Sequence, residues 1–173
     1  MKTNVKKLAI MAILTAIALI IFIIEAQIPL PIPVPGVKLG LANAVTLFAL
    51  FYAGRKYFST YNIFAVLLCR ILLGAVFTGR PIVVVYSLAG GLLAFAAQVV
   101  MKRFVTDKQI WVCGAVGAVF HNVGQILAAM VITGTPSIAA YLPVLIIAGI
   151  ITGVITGLVA QLTLDRIKNV SGE

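Results

Sequence analysis

Acidic residues are scarce in this chain. Asp and Glu together number 4, Lys and Arg 13, and charged residues of both signs make up 10% of the sequence. Soluble domains carry roughly a quarter charged residues, so a soluble catalytic domain is excluded, and so is a second domain of any size. The aspartates Asp107 and Asp165 stand far apart and do not form the carboxylate cluster that holds magnesium in prenyl-transfer and diphosphate chemistry. Histidine occurs once, as His121, with no acid beside it in sequence, which leaves no zinc motif and no triad. No P-loop pattern occurs, so ATP hydrolysis by this chain is not expected. Cys69 and Cys113 both fall inside apolar runs and read as small buried hydrophobes rather than a disulfide or a metal pair. Neither a metal nor a cofactor is expected.

Apolar sequence fills the space that charge leaves. The chain is 62% hydrophobic, with a mean hydropathy of +1.18. At about 20 apolar residues per crossing, it has room for five or six membrane helices and little else. It reads as one all-α, polytopic integral-membrane domain over residues 1–173. Six segments are expected, at 7–27, 39–54, 58–78, 82–101, 109–133 and 138–164. The second is short and the last long, so tilt or partial burial must absorb the difference. The first run follows Lys2, Lys6 and Lys7 in the manner of a signal peptide, but it has no clear small-x-small cleavage site and more spans follow. Gly134-Thr135-Pro136-Ser137 reads as a plain turn.

The net charge of +9 would suit nucleic acid by itself, but the basic residues flank spans, where they determine topology. With the N-terminus in the cytoplasm, the inner side receives Lys2, Lys6, Lys7, Arg55, Lys56, Lys102, Arg103, Lys108, Arg166 and Lys168. The outer side receives only Lys38 and Arg80. Both termini are therefore expected to be cytoplasmic in a prokaryotic plasma membrane, with no nucleic-acid partner. The outer connection 28–38 alternates proline with aliphatic residues from Pro29 to Pro35. That pattern forbids helix and favours an extended segment. It is too apolar for a solvated linker, so either a partly buried cover or a short rigid connector is expected.

Polar residues at membrane depth usually face a cavity or a partner. Glu25 closes the first span, Lys38 lies in the outer loop and Asn43 opens the second span. Arg70 lies at or beyond mid-depth of the third, and Arg80 opens the turn before the fourth, followed by Tyr86 and Ser87. His121, Asn122 and Gln125 lie in the fifth, with His121 and Gln125 four apart on one face. All fall in the outer half, whereas the inner half offers little beyond Gln98 and Gln161. The balance favours an outward-opening site for an anionic or strongly hydrogen-bonding ligand. The alternative is that Glu25 pairs with Arg70 or Lys38 and the amides tie helices together. Small residues mark close helix contacts. Ala9, Ala12 and Ala16 lie near one face of the first span, and Gly149, Gly153 and Gly157 recur every fourth residue in the sixth.

Three runs carry a resemblance over nearly the whole chain. They are Ile32-Pro33-Val34-Pro35-Gly36-Val37-Lys38-Leu39-Gly40-Leu41-Ala42-Asn43, Tyr86-Ser87-Leu88-Ala89-Gly90-Gly91-Leu92-Leu93 and Val119-Phe120-His121-Asn122-Val123-Gly124-Gln125. Together they resemble the Gx transporter family, long described as heptaprenyl diphosphate synthase component I. That family is similar in turn to the substrate-binding S components of energy-coupling factor transporters. The resemblance implies a six-helix bundle that captures a vitamin-like substrate and is energised by a transmembrane coupling subunit and two cytoplasmic ATPases. It also implies that Ala12 and Ala16, extended by Ala9, dock the coupling subunit, and that delivery tilts the protein in the bilayer. The enzymatic description points to isoprenoid or quinone precursors. Two rival functions follow: an accessory subunit of polyprenyl diphosphate or quinone metabolism, and an anchor for an electron-transfer complex.

Overall fold

A computed structural model describes residues 2–28, 38–56, 59–79 and 81–171, with the side chains of 2–4, 53–56 and 171 left aside. Every regular element among them is helical. These are α1 (Lys2–Glu25), α2 (Asn43–Lys56), α3 (Thr60–Thr78), α4 (Ile82–Met101), α5 (Ile110–Thr133) and α6 (Leu142–Ser171), with 3-10 turns at Asp107–Gln109 and Pro136–Tyr141. Five segments are long and apolar enough to cross a membrane: Val5–Glu25, Thr60–Thr78, Ile82–Met101, Asp107–Thr133 and Pro136–Val170. The outward surface agrees with that composition. Leu8, Val76, Val131, Ile147 and Leu162 all stand exposed, while Glu25, Lys38, Arg70 and His121 are buried. Water would impose the opposite distribution. The chain is a helical membrane protein.

The α2 helix departs from the expected segment at 39–54. It begins at Asn43 and has 14 residues, about 21 Å of helix against a hydrocarbon core of about 30 Å. Its start is set by Gly40, whose φ of 82° lies in the left-handed region. There the chain turns before entering the helix, with Asn43 N–H donating to the Gly40 carbonyl at 2.9 Å and Ala44 N–H to that of Leu41 at 3.0 Å. α2 touches each of the other five helices, and Val45, Leu47, Ala49, Leu50 and Phe51 are buried along it. Burial within the bundle therefore accounts for its shortness.

Around α2, α1 packs on α3, α3 on α4, α4 on α5 and α5 on α6, and α6 returns to α2. The α5–α6 seam is the glycine face expected from sequence. A Cβ on Gly153 would stand 2.6 Å from the Gly114 carbonyl oxygen and 2.7 Å from the Cα of Ala115. Two backbones are in direct contact there. Ala9, Ala12 and Ala16 are exposed. The buried side of α1 is formed by Leu14, Ala18, Phe22 and Glu25, which places the alanines on the side turned away from the bundle.

At the end of the bundle away from Gly40, Lys102 Nζ donates to the Leu50 carbonyl at 2.5 Å. Lys168 pairs with Asp107 at 2.5 Å, fastening the 3-10 turn before α5 to the end of α6. The expected plain turn at 134–137 gives way to a 3-10 helix over Pro136–Tyr141, after Gly134 caps α5 in the left-handed region. Cys113 is buried and Cys69 exposed, both as free thiols. The proline alternation at 29–37 lies outside the described residues.

Candidate functional site

The layer begins with α1. Phe22 and Glu25, three apart on its buried side, point into the bundle where the helix ends. The Glu25 carboxylate accepts the backbone N–H groups of Gly40 and Leu41, the second at 3.1 Å. These are groups of the turn that opens α2, so the carboxylate occupies the positive end of that helix. Lys38 and Arg70 lie within electrostatic reach of the same carboxylate. Their common support is the Phe22 ring, with Lys38 Nζ 3.3 Å and Arg70 Cζ 5.8 Å from its centroid. A ring face under desolvated cations is a favourable contact.

Arg70 reaches from α3 to α2, donating from Nη2 to Asn43 Oδ1 at 3.1 Å. Its Nε and the Asn43 Nδ2 have no hydrogen-bond partner. Both residues are buried, at 2% and 5% exposure. Buried donors of this kind ordinarily find a partner in protein, water or ligand. Thr46, one turn along α2, is buried with its hydroxyl unpartnered as well.

α5 closes the layer from the opposite side. The Lys38 backbone N–H donates to Gln125 Oε1 at 2.9 Å, which fixes the orientation of that amide. Gln125 Nε2 then faces His121 Nε2 at 2.9 Å. An amide NH2 can only donate, so the imidazole accepts at Nε2 and carries its proton on Nδ1. The ring is held between two glycines. A Cβ on Gly40 would be 2.6 Å from His121 Cδ2, and one on Gly90 would be 2.8 Å from Nδ1.

Six of the expected site residues therefore come together, namely Glu25, Lys38, Asn43, Arg70, His121 and Gln125. Two take other places in the same half of the bundle. Asn122 donates to the Leu145 carbonyl at 2.6 Å and ties α5 to α6. Tyr86 is buried in an apolar cluster with Ile126, Ala129, Ile138 and Leu145. Arg80 lies outside the described residues. Sequence inspection missed Phe22 and the N–H groups of Gly40 and Leu41. The spacing of Phe22 from Glu25 would have exposed the first, but backbone donors leave no mark on side-chain identity. Among the described residues, no group of three His, Cys, Asp or Glu side chains could hold a metal ion.

A second feature lies on the flank of the bundle. A cavity of about 220 Å³ is lined by Leu14, Ile17 and Ile21 of α1, Ala44, Val45 and Phe48 of α2, and Val159, Ala160 and Thr163 of α6. It is apolar and presents no reactive group.

Among known families, the one described as heptaprenyl diphosphate synthase component I matches residues 14–163. No curated protein and no solved structure matches the chain.

Proposed function

The chain belongs to the heptaprenyl diphosphate synthase component I family, and from that premise we propose that it is the substrate-binding S component of an energy-coupling factor importer, without catalysis of its own. The observation that carries this proposal is the buried layer, in which two cations and one carboxylate surround donors that no protein group fills. Desolvated cations and unfilled donors suit a small organic anion. The family description favours one related to isoprenoid or quinone chemistry. In this reading the bundle makes six crossings with α2 enclosed, and both termini are cytoplasmic in a prokaryotic plasma membrane. The end carrying Gly40 faces outward. The exposed alanine face of α1 receives the transmembrane coupling subunit, and two cytoplasmic ATPases supply the energy.

The family description also favours a second reading, an accessory membrane subunit of polyprenyl diphosphate metabolism. Native mass spectrometry of the protein, purified mildly from its own membranes, separates the two. The import reading expects a stoichiometric small anion together with coupling and ATPase subunits. A soluble prenyl synthase bound to an empty subunit would overturn import and establish the second reading.

A further inference from the structure

We propose that the Glu25 carboxylate sits in the seat of the substrate's own carboxylate, so that binding is the exchange of one carboxylate for another at the start of α2. This rests on the layer being a ligand site and names the chemical class of its ligand. Glu25 accepts the N–H groups of Gly40 and Leu41 in the turn that opens a 14-residue helix, and the Lys38 ammonium and Arg70 guanidinium lie within electrostatic reach of it. Together these groups suit an anion, and a side chain from α1 already occupies the place.

Further donors at the same place have no partner. Asn43 Nδ2 is unpartnered and buried, and it lies 3.0 Å from where a Cβ on Gly40 would stand, beside the turn whose N–H groups Glu25 takes. The Arg70 Nε is likewise unfilled in a residue that is 2% exposed. The tethered carboxylate thus serves part of the site, and an incoming ligand with further acceptor atoms can serve the rest.

Glu25 also has somewhere to go. It is the last residue of α1, and Ala26, Gln27 and Ile28 directly after it are exposed. In the proposed exchange, a change of rotamer at this final turn takes the carboxylate toward that exposed end. An incoming carboxylate leaves the local charge balance of the filled site as it was.

The test uses the full-length protein in mild detergent with sodium acetate as the probe. Thermal unfolding is followed against acetate concentration, with sodium chloride at equal ionic strength as the reference. In wild type, Glu25 competes as a tethered ligand at an effective concentration on the order of millimolar or above. Glu25→Ala removes the competitor. Glu25→Gln keeps the acceptor for Gly40 and Leu41 but removes its charge, and it carries the test if the alanine variant does not fold. Both variants should half-saturate with acetate at a concentration roughly tenfold or more below wild type. Adding Arg70→Ala to either should remove the acetate-specific effect. Acetate acting no differently from chloride on the variants would overturn the proposal. Its failure is separable from that of import. An acetate effect alongside a co-purifying synthase would overturn import alone, and acetate indifference in a protein that co-purifies with ATPases would overturn only the exchange.

Discussion

His121 is held by shape as much as by hydrogen bonds, and that division can be measured. Gly40→Ala imposes two separate penalties. A side chain at φ 82° costs roughly 1–2 kcal/mol, and a Cβ placed 2.6 Å from His121 Cδ2 adds an overpacking cost of about 1–3 kcal/mol. Truncating the ring relieves only the second. Gly40→Ala, His121→Ala and the double variant, unfolded in the same detergent, should therefore show a coupling of about 1 kcal/mol or more. Additive effects would mean that the ring moves aside freely and does not form a wall of the site. Much of this site was legible in the side chains themselves. Glu25, Arg70, His121 and Gln125 stand out because ionisable and amide groups are rare in an apolar chain. The parts that decide their roles were not legible. Asn122 is adjacent to His121 in sequence, yet its amide reaches α6 rather than the layer. One residue on a helix turns the side chain by about 100°, and only the positions of the neighbouring helices tell which direction holds the site.

At the scale of the element, the α5–α6 seam and the start of α2 show two kinds of legibility. The repeat of Gly149, Gly153 and Gly157 announced a close helix contact, and the contact is there because only hydrogen fits between those backbones. Gly153→Ala should lower unfolding stability by about 1–3 kcal/mol, because the atoms it meets belong to the Gly114 and Ala115 backbone and cannot swing away. Ile151→Ala, two residues earlier and exposed, should change stability by no more than about 0.5 kcal/mol. Equal effects of the two substitutions would show that the seam is loosely packed. The start of α2 was less visible. Hydrophobicity runs unbroken from Leu39 through Ala42, so composition alone extends the helix to 39. The geometry of Gly40 and its bond to Glu25, fifteen residues earlier, end it at Asn43. A local pattern cannot report a contact made by a distant residue.

At the scale of the whole molecule, the proposed import role divides the labour between two surfaces. In that role the layer would capture and α1 would dock. Ala9, Ala12 and Ala16 contribute nothing to the interior, since all three are exposed on the side of α1 turned away from Leu14, Ala18 and Phe22. Small side chains on a lipid-facing surface leave the helix backbone open to close approach by another helix. Ala12→Trp combined with Ala16→Trp fills that approach without touching the bundle. Stability of the isolated subunit should change by no more than about 0.5 kcal/mol, and co-purification of the coupling and ATPase subunits should be lost. Uptake should fall to background while occupancy by the co-purifying anion remains as in wild type. Retained partners with both tryptophans in place would remove this face from the docking interface. Loss of folding instead would show that α1 packs through the alanines in a state other than this one. The separation of binding from uptake is the property to measure, because two independent surfaces predict it and a single structural face does not.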